Sequence, residues 1–220
     1  MESQEDILRY ERNGMENYSL YSKLTKEKMW KEISKLNKMP HDVFGAWKEV
    51  HRLPEILNED EVVFALTSGL MPQTVTSNKS DDGINTWLVV LTSQRFLFLD
   101  HAFWSSSIDI QSVRHEQVQA VSSSQGWFLG KITIDLGSRL IVVDNCTNEA
   151  LTAFVTLSNK WLSTLEKCKN ERMSEPVAIP VSNVPFSPAD ELKKFAELRA
   201  AGILSEEEFE TAKAKILRMF

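Results

Sequence analysis

The side chains that could do chemistry in this 220-residue chain are plentiful but badly spaced for it. Two serine runs, Ser105-Ser106-Ser107 and Ser122-Ser123-Ser124, offer hydroxyl nucleophiles. Neither sits in a Gly-x-Ser-x-Gly elbow, and no histidine and acid follow in triad order. Serines at strand ends and turns account for both runs. Asp81-Asp82-Gly83 lacks the regular ligand spacing and closing glutamate of a calcium loop, so a polar loop tip is expected there. The histidines, His41, His51, His101 and His115, are scattered singly, and Cys146 and Cys168 have neither metal-ligand spacing nor disulfide density. No acid–base pair, nucleophile set or cofactor loop emerges. The expectation is a non-enzymatic protein with no catalytic residues, no metal and no cofactor.

Binding chemistry is better represented. Trp87, Trp104 and Trp127 stand in or beside strand-like segments. Trp104 and the pair Trp127-Phe128 fall at strand–loop boundaries, within Ala102-Phe-Trp-Ser105 and Gln125-Gly-Trp-Phe-Leu-Gly130. Two readings stand. Exposed, these aromatics would anchor a protein partner; turned inward, they would fill the core or rim of a small barrel. Gly126 and Gly130 permit a tight or bulged backbone around the pair.

Cations are sparse where a multiply charged lipid headgroup would need several to converge. Lys79 lies beside Asp81 and Asp82, while Arg95 and Lys131 are dispersed. The net charge of −6 divides as about +1 over residues 1–52, about −5 over 53–169 and about −2 over 170–220. An acidic middle gives no broad attraction for nucleic acid or anionic lipid. Only Lys23, Lys26, Lys28, Lys31, Lys35 and Lys38 form a basic series, read first as a solvated helix face. An anionic-lipid surface using these lysines with Arg95, or a nucleic-acid contact through the basic helices, is the alternative; nucleic acid is the less favoured partner.

The elements that must carry these residues follow from pattern. Residues 4–52 read as helical. A first helix around Ile7 and Leu8 ends near Asn13-Gly14. Thr25 is placed as N-cap of a helix from Lys26 to Asn37, with Met29, Trp30, Ile33 and Leu36 on one face. Met39-Pro40 breaks it, and Asp42 is placed as cap of a further helix carrying Val43, Phe44, Trp47 and Val50.

From residue 60 the pattern turns to short β-branched and aromatic runs. Glu61 to Thr67 ends at Ser68-Gly69. Thr86 to Thr92 and Arg95 to Asp100 flank a Ser93-Gln94 turn. Ser107 to Gln111, Val118 to Ser122, Lys131 to Leu136 and Arg139 to Asp144 complete seven strands. Clean alternation in the sixth predicts one buried and one wet face, with Gly137-Ser138 turning back to the last strand. Short strands joined by turns predict an antiparallel barrel or sandwich. A helix from about Asn148 to Lys167, with Leu151, Phe154, Val155, Trp161, Leu162 and Leu165 along one stripe, would plug its mouth. The fold class is therefore α+β.

Seven strands and then one helix is the order of the pleckstrin-homology (PH) superfold. Residues from about Leu53 to Trp161 resemble the bacterial, YokE-like PH family. The matching parts are Leu53-Pro-Glu-Ile-Leu57 with Glu59-Asp-Glu61, the hairpin Leu91-Thr-Ser-Gln-Arg-Phe-Leu-Phe-Leu99, and Gln117 to Ile134. Ser93-Gln94 departs mildly from that family's usual turn.

The C-terminal stretch reads as a helical hairpin. Leu192, Phe195 and Leu198 share a face, Gly202 falls where a left-handed C-cap belongs, and Ser205 with Glu208 fits a capping box. Phe209, Ala212, Ile216 and Phe220 repeat the apolar spacing. Glu206-Glu207-Glu208 complements the helix dipole. The set Leu192, Leu198, the turn Ala201-Gly-Ile-Leu-Ser205, then Glu207-Glu208-Phe209, Lys213 and Leu217, resembles the SHOCT (short C-terminal) domain. That resemblance implies a bacterial or phage source and a role in oligomerisation.

A hairpin of roughly 30 residues falls below the size at which lone domains fold unaided, so its apolar face needs a companion surface. Leu198, Ile203, Leu204, Phe209, Ile216 and Leu217 are the expected self-association residues; Trp104, Trp127 and Phe128 are the expected partner contacts. The expected organisation is a helical region (1–52), a PH-like domain (53–169), a proline-containing linker (170–188) and the hairpin (189–220). No run approaches the ~18 apolar residues of a membrane span, and Met1-Glu-Ser-Gln-Glu-Asp6 is too acidic to open a secretory signal. A cytoplasmic protein that self-associates and binds another protein is expected.

Overall fold

The computed structural model describes residues 3–41, 43, 45–71, 86–101, 108–174, 192–193, 196–197, 199 and 205–217. The chain divides into two units, Met1–Ser174 and Glu175–Phe220. In the first, four helices come before the strands among the described residues: α1 (Gln4–Asn13), α2 (Tyr18–Lys26), α3 (Trp30–Leu36) and α4 (Trp47–Ile56). Ser3 caps α1 reciprocally with Asp6, its hydroxyl accepting the Asp6 N–H at 3.1 Å. Gly14, at φ 132°, ends the helix where the sequence expects.

The next stretch differs from expectation. Thr25 is not an N-cap but lies inside α2, and no single helix runs from Lys26 to Asn37. Lys28 takes a left-handed φ of 57°, a conformation usually left to glycine or asparagine, so the pattern carries no visible stop. Thr25 instead serves the sheet: its hydroxyl accepts the Val63 N–H at 2.9 Å, where the register shifts between Val63 and Ala65. Asp42 and Phe44 lie outside the described residues.

Seven antiparallel strands follow: β1 (Val63–Leu70), β2 (Thr86–Thr92), β3 (Arg95–His101), β4 (Ile108–Arg114), β5 (Ala120–Gln125), β6 (Leu129–Asp135) and β7 (Leu140–Thr147), with a 3₁₀ turn at His115–Gln117. Their order is β4-β3-β2-β1-β7-β6-β5, which leaves β4 and β5 as the outer strands. β1 meets β7 at the single pair Leu70↔Asp144.

β1 also runs past Ser68-Gly69, where the sequence suggested an end. A Cβ on Gly69 would stand 2.4 Å from Val143 Cγ1 and 2.7 Å from the Asp144 carbonyl oxygen. That glycine marks a close crossing of two strands, not a turn.

Helix α5 (Asn148–Ser174) buries Leu151, Phe154 and Trp161 in the sheet's core, and the Trp161 indole N–H donates to the Ser93 carbonyl at 3.2 Å. It continues beyond Lys167 because α1 lies alongside. Arg172 pairs with Asp6 at 2.6 Å and Arg12 with Glu171 at 3.0 Å. The N-terminal helices share the core: Tyr18 and Tyr21 stack edge-on against Phe64 at 5.6 and 5.4 Å, and Phe64 lies 4.8 Å from Trp161. Each such aromatic pair adds about 0.5–1.5 kcal/mol beyond its buried area.

In the second unit Leu192, Lys193, Ala196, Glu197 and Arg199 are helical, and α6 (Glu206–Leu217) begins directly after Ser205. Arg199 pairs with Glu206 at 2.9 Å and lies over the buried Phe209 ring at 4.6 Å.

Candidate functional site

The β5–β6 hairpin carries the most exposed aromatic surface among the described residues. Trp127 is 91% exposed and Phe128 79% exposed, and their rings stack at 6.0 Å with planes 19° apart. Leu129 and Leu140 are exposed as well. Apolar side chains in water at this density stand out, because large ones rarely cluster on a monomer without use.

The backbone beneath the pair is held firmly. Gly126 N–H donates to the Leu129 carbonyl at 2.9 Å. The Gly126 carbonyl accepts from the Asn148 side chain at 3.2 Å, and the Gln125 amide donates to the Thr152 hydroxyl at 2.8 Å. The first turns of α5 thus brace the loop. Neither aromatic has a positive φ, so this is not a primed hairpin turn. The glycines are there for closeness: a Cβ on Gly126 would lie 2.4 Å from the Leu129 carbonyl oxygen, and one on Gly130 2.4 Å from that of Ser124.

The other expected site residues fare differently. Trp87 is 1% exposed and belongs to the core. Trp104 lies outside the described residues, as do Leu198, Ile203 and Leu204. Ile216 and Leu217 are on α6, with side chains outside the described set. Phe209 is buried. Lys79, Asp81, Asp82 and Ser105 to Ser107 also lie outside the described residues. Ser122, Ser123 and Ser124 are exposed on β5. Both cysteines are buried thiols, and neither is in a disulfide. Among the described residues no cluster of three or more His, Cys, Asp or Glu could hold a metal ion, and no helix is long and apolar enough to cross a membrane.

Arg95, weighed as a lipid contact, is already committed. Its Nε and a terminal nitrogen donate to the two Glu61 oxygens, each at 2.9 Å, and the same terminal nitrogen reaches the Ile56 carbonyl at 3.1 Å. Glu61 also accepts from the Thr92 hydroxyl at 2.6 Å and the Asn58 N–H at 3.0 Å. A bidentate pair of this kind spends the cation on the fold. Lys131 faces Asp144 at 3.5 Å. Lys23, Lys26, Lys28, Lys31, Lys35 and Lys38 are exposed, with Lys35 paired to Glu32 at 2.8 Å.

Two hollows were not legible in the sequence. One, of about 550 Å³, lies where α5 passes the start of β5 and is lined by Val118, Leu162, Leu165, His115 and Glu166. Leu162 and Leu165 fitted the helix's apolar stripe, and nothing in the spacing says that they face a cavity. The other, about 490 Å³, lies between α3 and α4 around Met29, Trp30, Val50 and the half-exposed Trp47.

Comparison with known proteins agrees with the residue patterns. Residues 57–160 match the family described as "Bacterial PH domain", and residues 190–217 match the "Short C-terminal domain" family. Among solved structures, a DUF1696 family protein with a pleckstrin-homology domain from Shewanella loihica PV-4 is 8% identical, at a TM-score of 0.35; the match covers 52% of this chain and 94% of that one. The C-terminal domain of an unknown protein from Leishmania infantum is 12% identical at a TM-score of 0.34, covering 52% and 97%. No curated protein matches.

Proposed function

We propose that this chain, with its bacterial PH-type and short C-terminal regions, is a non-catalytic cytoplasmic protein that binds another protein and self-associates. The observation that carries the first half is the Trp127-Phe128 pair, stacked and in water on a braced hairpin. Rigid aromatics lose little entropy on binding and dominate the energetics of protein interfaces. Tryptophan at an interface commonly costs about 2 kcal/mol or more when truncated, about thirtyfold in affinity.

Self-association is assigned to the C-terminal hairpin through Leu198, Ile203, Leu204, Phe209, Ile216 and Leu217. Phe209, under Arg199, would hold the two helices together while the aliphatic residues meet a second copy.

Three measurements test this reading. Light scattering after size exclusion on the full chain, beside a version ending at Pro188, should show a larger species only for the full chain; monomers in both remove the assembly claim. Pulldown with the full chain, Trp127→Ser/Phe128→Ser and Trp47→Ala in parallel should lose a bound protein with the double variant and keep it with Trp47→Ala. Capture unaffected by the double variant would remove the hairpin from the interface. Sedimentation with anionic vesicles covers the exposed lysines of α2 and α3: attachment that fades with salt would favour a membrane surface instead.

A further inference from the structure

Helices α3 and α4 enclose a hollow that plays no part in the sheet. We infer that this space of about 490 Å³ is a site for a small apolar monocarboxylate, whose alkyl or aryl body lies among Met29, Trp30, Trp47 and Val50 while Lys28 and Lys31 hold its carboxylate. The inference goes beyond the protein-binding reading above and does not depend on it. The hollow is lined from residues 28–54, before the 57–160 stretch that matches the bacterial PH family.

Spacing along α4 builds one wall. Trp47, Val50, His51 and Pro54 fall at i, i+3, i+4 and i+7 on one helix face, and all four line the hollow. Met29, Trp30 and His41 line it with them. Trp30 and Val50 are buried, whereas Met29 and Trp47 keep exposed apolar surface. The walls are set before anything binds, as in most ligand sites. The His41 ring meets Trp47 edge-on at 6.1 Å, and its Nδ1 lies 3.1 Å from the Ser34 hydroxyl. His51 Nδ1–H donates to the Trp47 carbonyl at 2.6 Å. Helix α3 has seven residues, so it is about 10 Å long. A wall that short suits one compact group better than a partner's helix or strand. The volume also falls in the ~300–1,000 Å³ range of small-ligand sites.

Charge selects the head group. Lys28 and Lys31 line the hollow, and among the described residues neither makes an ion pair. Glu32 is the one acid among the described lining residues, and Lys35 already holds it at 2.8 Å. Two neighbouring cations repel, and an anion between them relieves that repulsion. A carboxylate also accepts a charge-assisted hydrogen bond from each ammonium. On its other side Lys28 borders a smaller polar hollow with Glu59 and Asp60, whose negative charge turns a carboxylate away. The head group is thereby directed to the α3–α4 side. Lys28 takes its place at a left-handed φ of 57°, a conformation that asparagine tolerates, so its charge can be removed without disturbing the backbone.

The test titrates octanoate and 4-phenylbutyrate, each below its micelle-forming range, into the full chain while amide and indole N–H resonances are followed by NMR. The Trp30 and Trp47 indoles and the Met29 and Val50 amides should shift with at least one acid, at a Kd below about 1 mM. The indoles of Trp87, Trp127 and Trp161 should stay in place. Tighter binding of one acid supports the site and tells an alkyl body from an aryl one. The matching neutral amide of the tighter acid should bind at least about threefold more weakly. Lys28→Asn/Lys31→Gln should weaken the acid by at least about threefold and leave the amide within about twofold; Trp47→Ala should weaken both by about tenfold. No shift with either acid, or shifts centred on Trp127 or Leu162, overturns the inference from the wild-type chain alone, whether or not a variant folds. Equal affinity for acid and amide overturns it too, because the lysines then hold nothing. So does an acidic peptide that moves these resonances where neither acid does, since the hollow would then be a protein contact.

Discussion

Glu61 has no exposed side-chain surface and still carries a charge partner, Arg95, that is one-fifth exposed. Removing one member of such a buried pair strands the other. Glu61→Ala is expected to cost about 3–5 kcal/mol, and Glu61→Gln less, because an amide keeps a hydrogen bond to Thr92; urea unfolding measures both. His115 gives a second expectation. Its Nε2–H donates to the Thr92 carbonyl at 2.9 Å. Burial pushes the imidazole below its ordinary 6.5, with that hydrogen bond, Glu116 and Glu61 acting the other way. The unfolded chain then binds a proton that the folded chain refuses, so stability is full above pH 6.5 and declines as pH falls from there toward the depressed folded value. Unfolding midpoints across that window should fall in the wild type and flatten in His115→Gln. Neither role was legible from residue type: Arg95 looked like a free cation because Glu61 lies 34 positions upstream. Trp87 and Trp127 likewise have the same side chain and opposite fates, since only the fold says which side of a strand end meets water.

At the scale of elements, the crossing of β1 and β7 depends on a position with no side chain. Gly69→Ala would drive a Cβ into Val143 and the Asp144 carbonyl. The expected cost is about 1–3 kcal/mol, with earlier loss of amide protection near Leu70 and Asp144 than elsewhere in the sheet. The strands themselves were readable. β2, β3, β6 and β7 are dense in β-branched and aromatic residues, and the Thr92 hydroxyl, accepting from the Gln94 and Arg95 N–H groups at 3.1 and 3.0 Å, makes the short turn between β2 and β3 local chemistry. What escaped reading was whatever depends on a neighbour distant in sequence. Gly69 imitates a turn, Thr25 imitates a cap, and Lys28 hides a helix break behind a residue that seldom makes one. α5 outruns its apolar stripe because α1 supplies Asp6 for Arg172 and Arg12 for Glu171.

Across the first unit, one core joins the helices to the sheet: Met15, Tyr18, Ile33 and Leu53 are buried with Phe64, Phe96, Phe154 and Trp161. A chain begun at Leu53 would lose Tyr10, Tyr18 and Tyr21 from around Phe64 and Trp161. It is expected to keep β-type far-ultraviolet dichroism while losing near-ultraviolet signal and a cooperative melt; a sharp transition like that of the intact protein would mean that the helices are dispensable. Differences in solvent contact among the indoles have one more use. Trp30, Trp87 and Trp161 are shielded and Trp47 is half covered, whereas Trp127 is bathed in water. Iodide should therefore quench a red-shifted component of the emission that Trp127→Phe removes. Recovery of that light on adding a ligand would reveal occupancy of the hairpin with no dye or tag attached to either molecule.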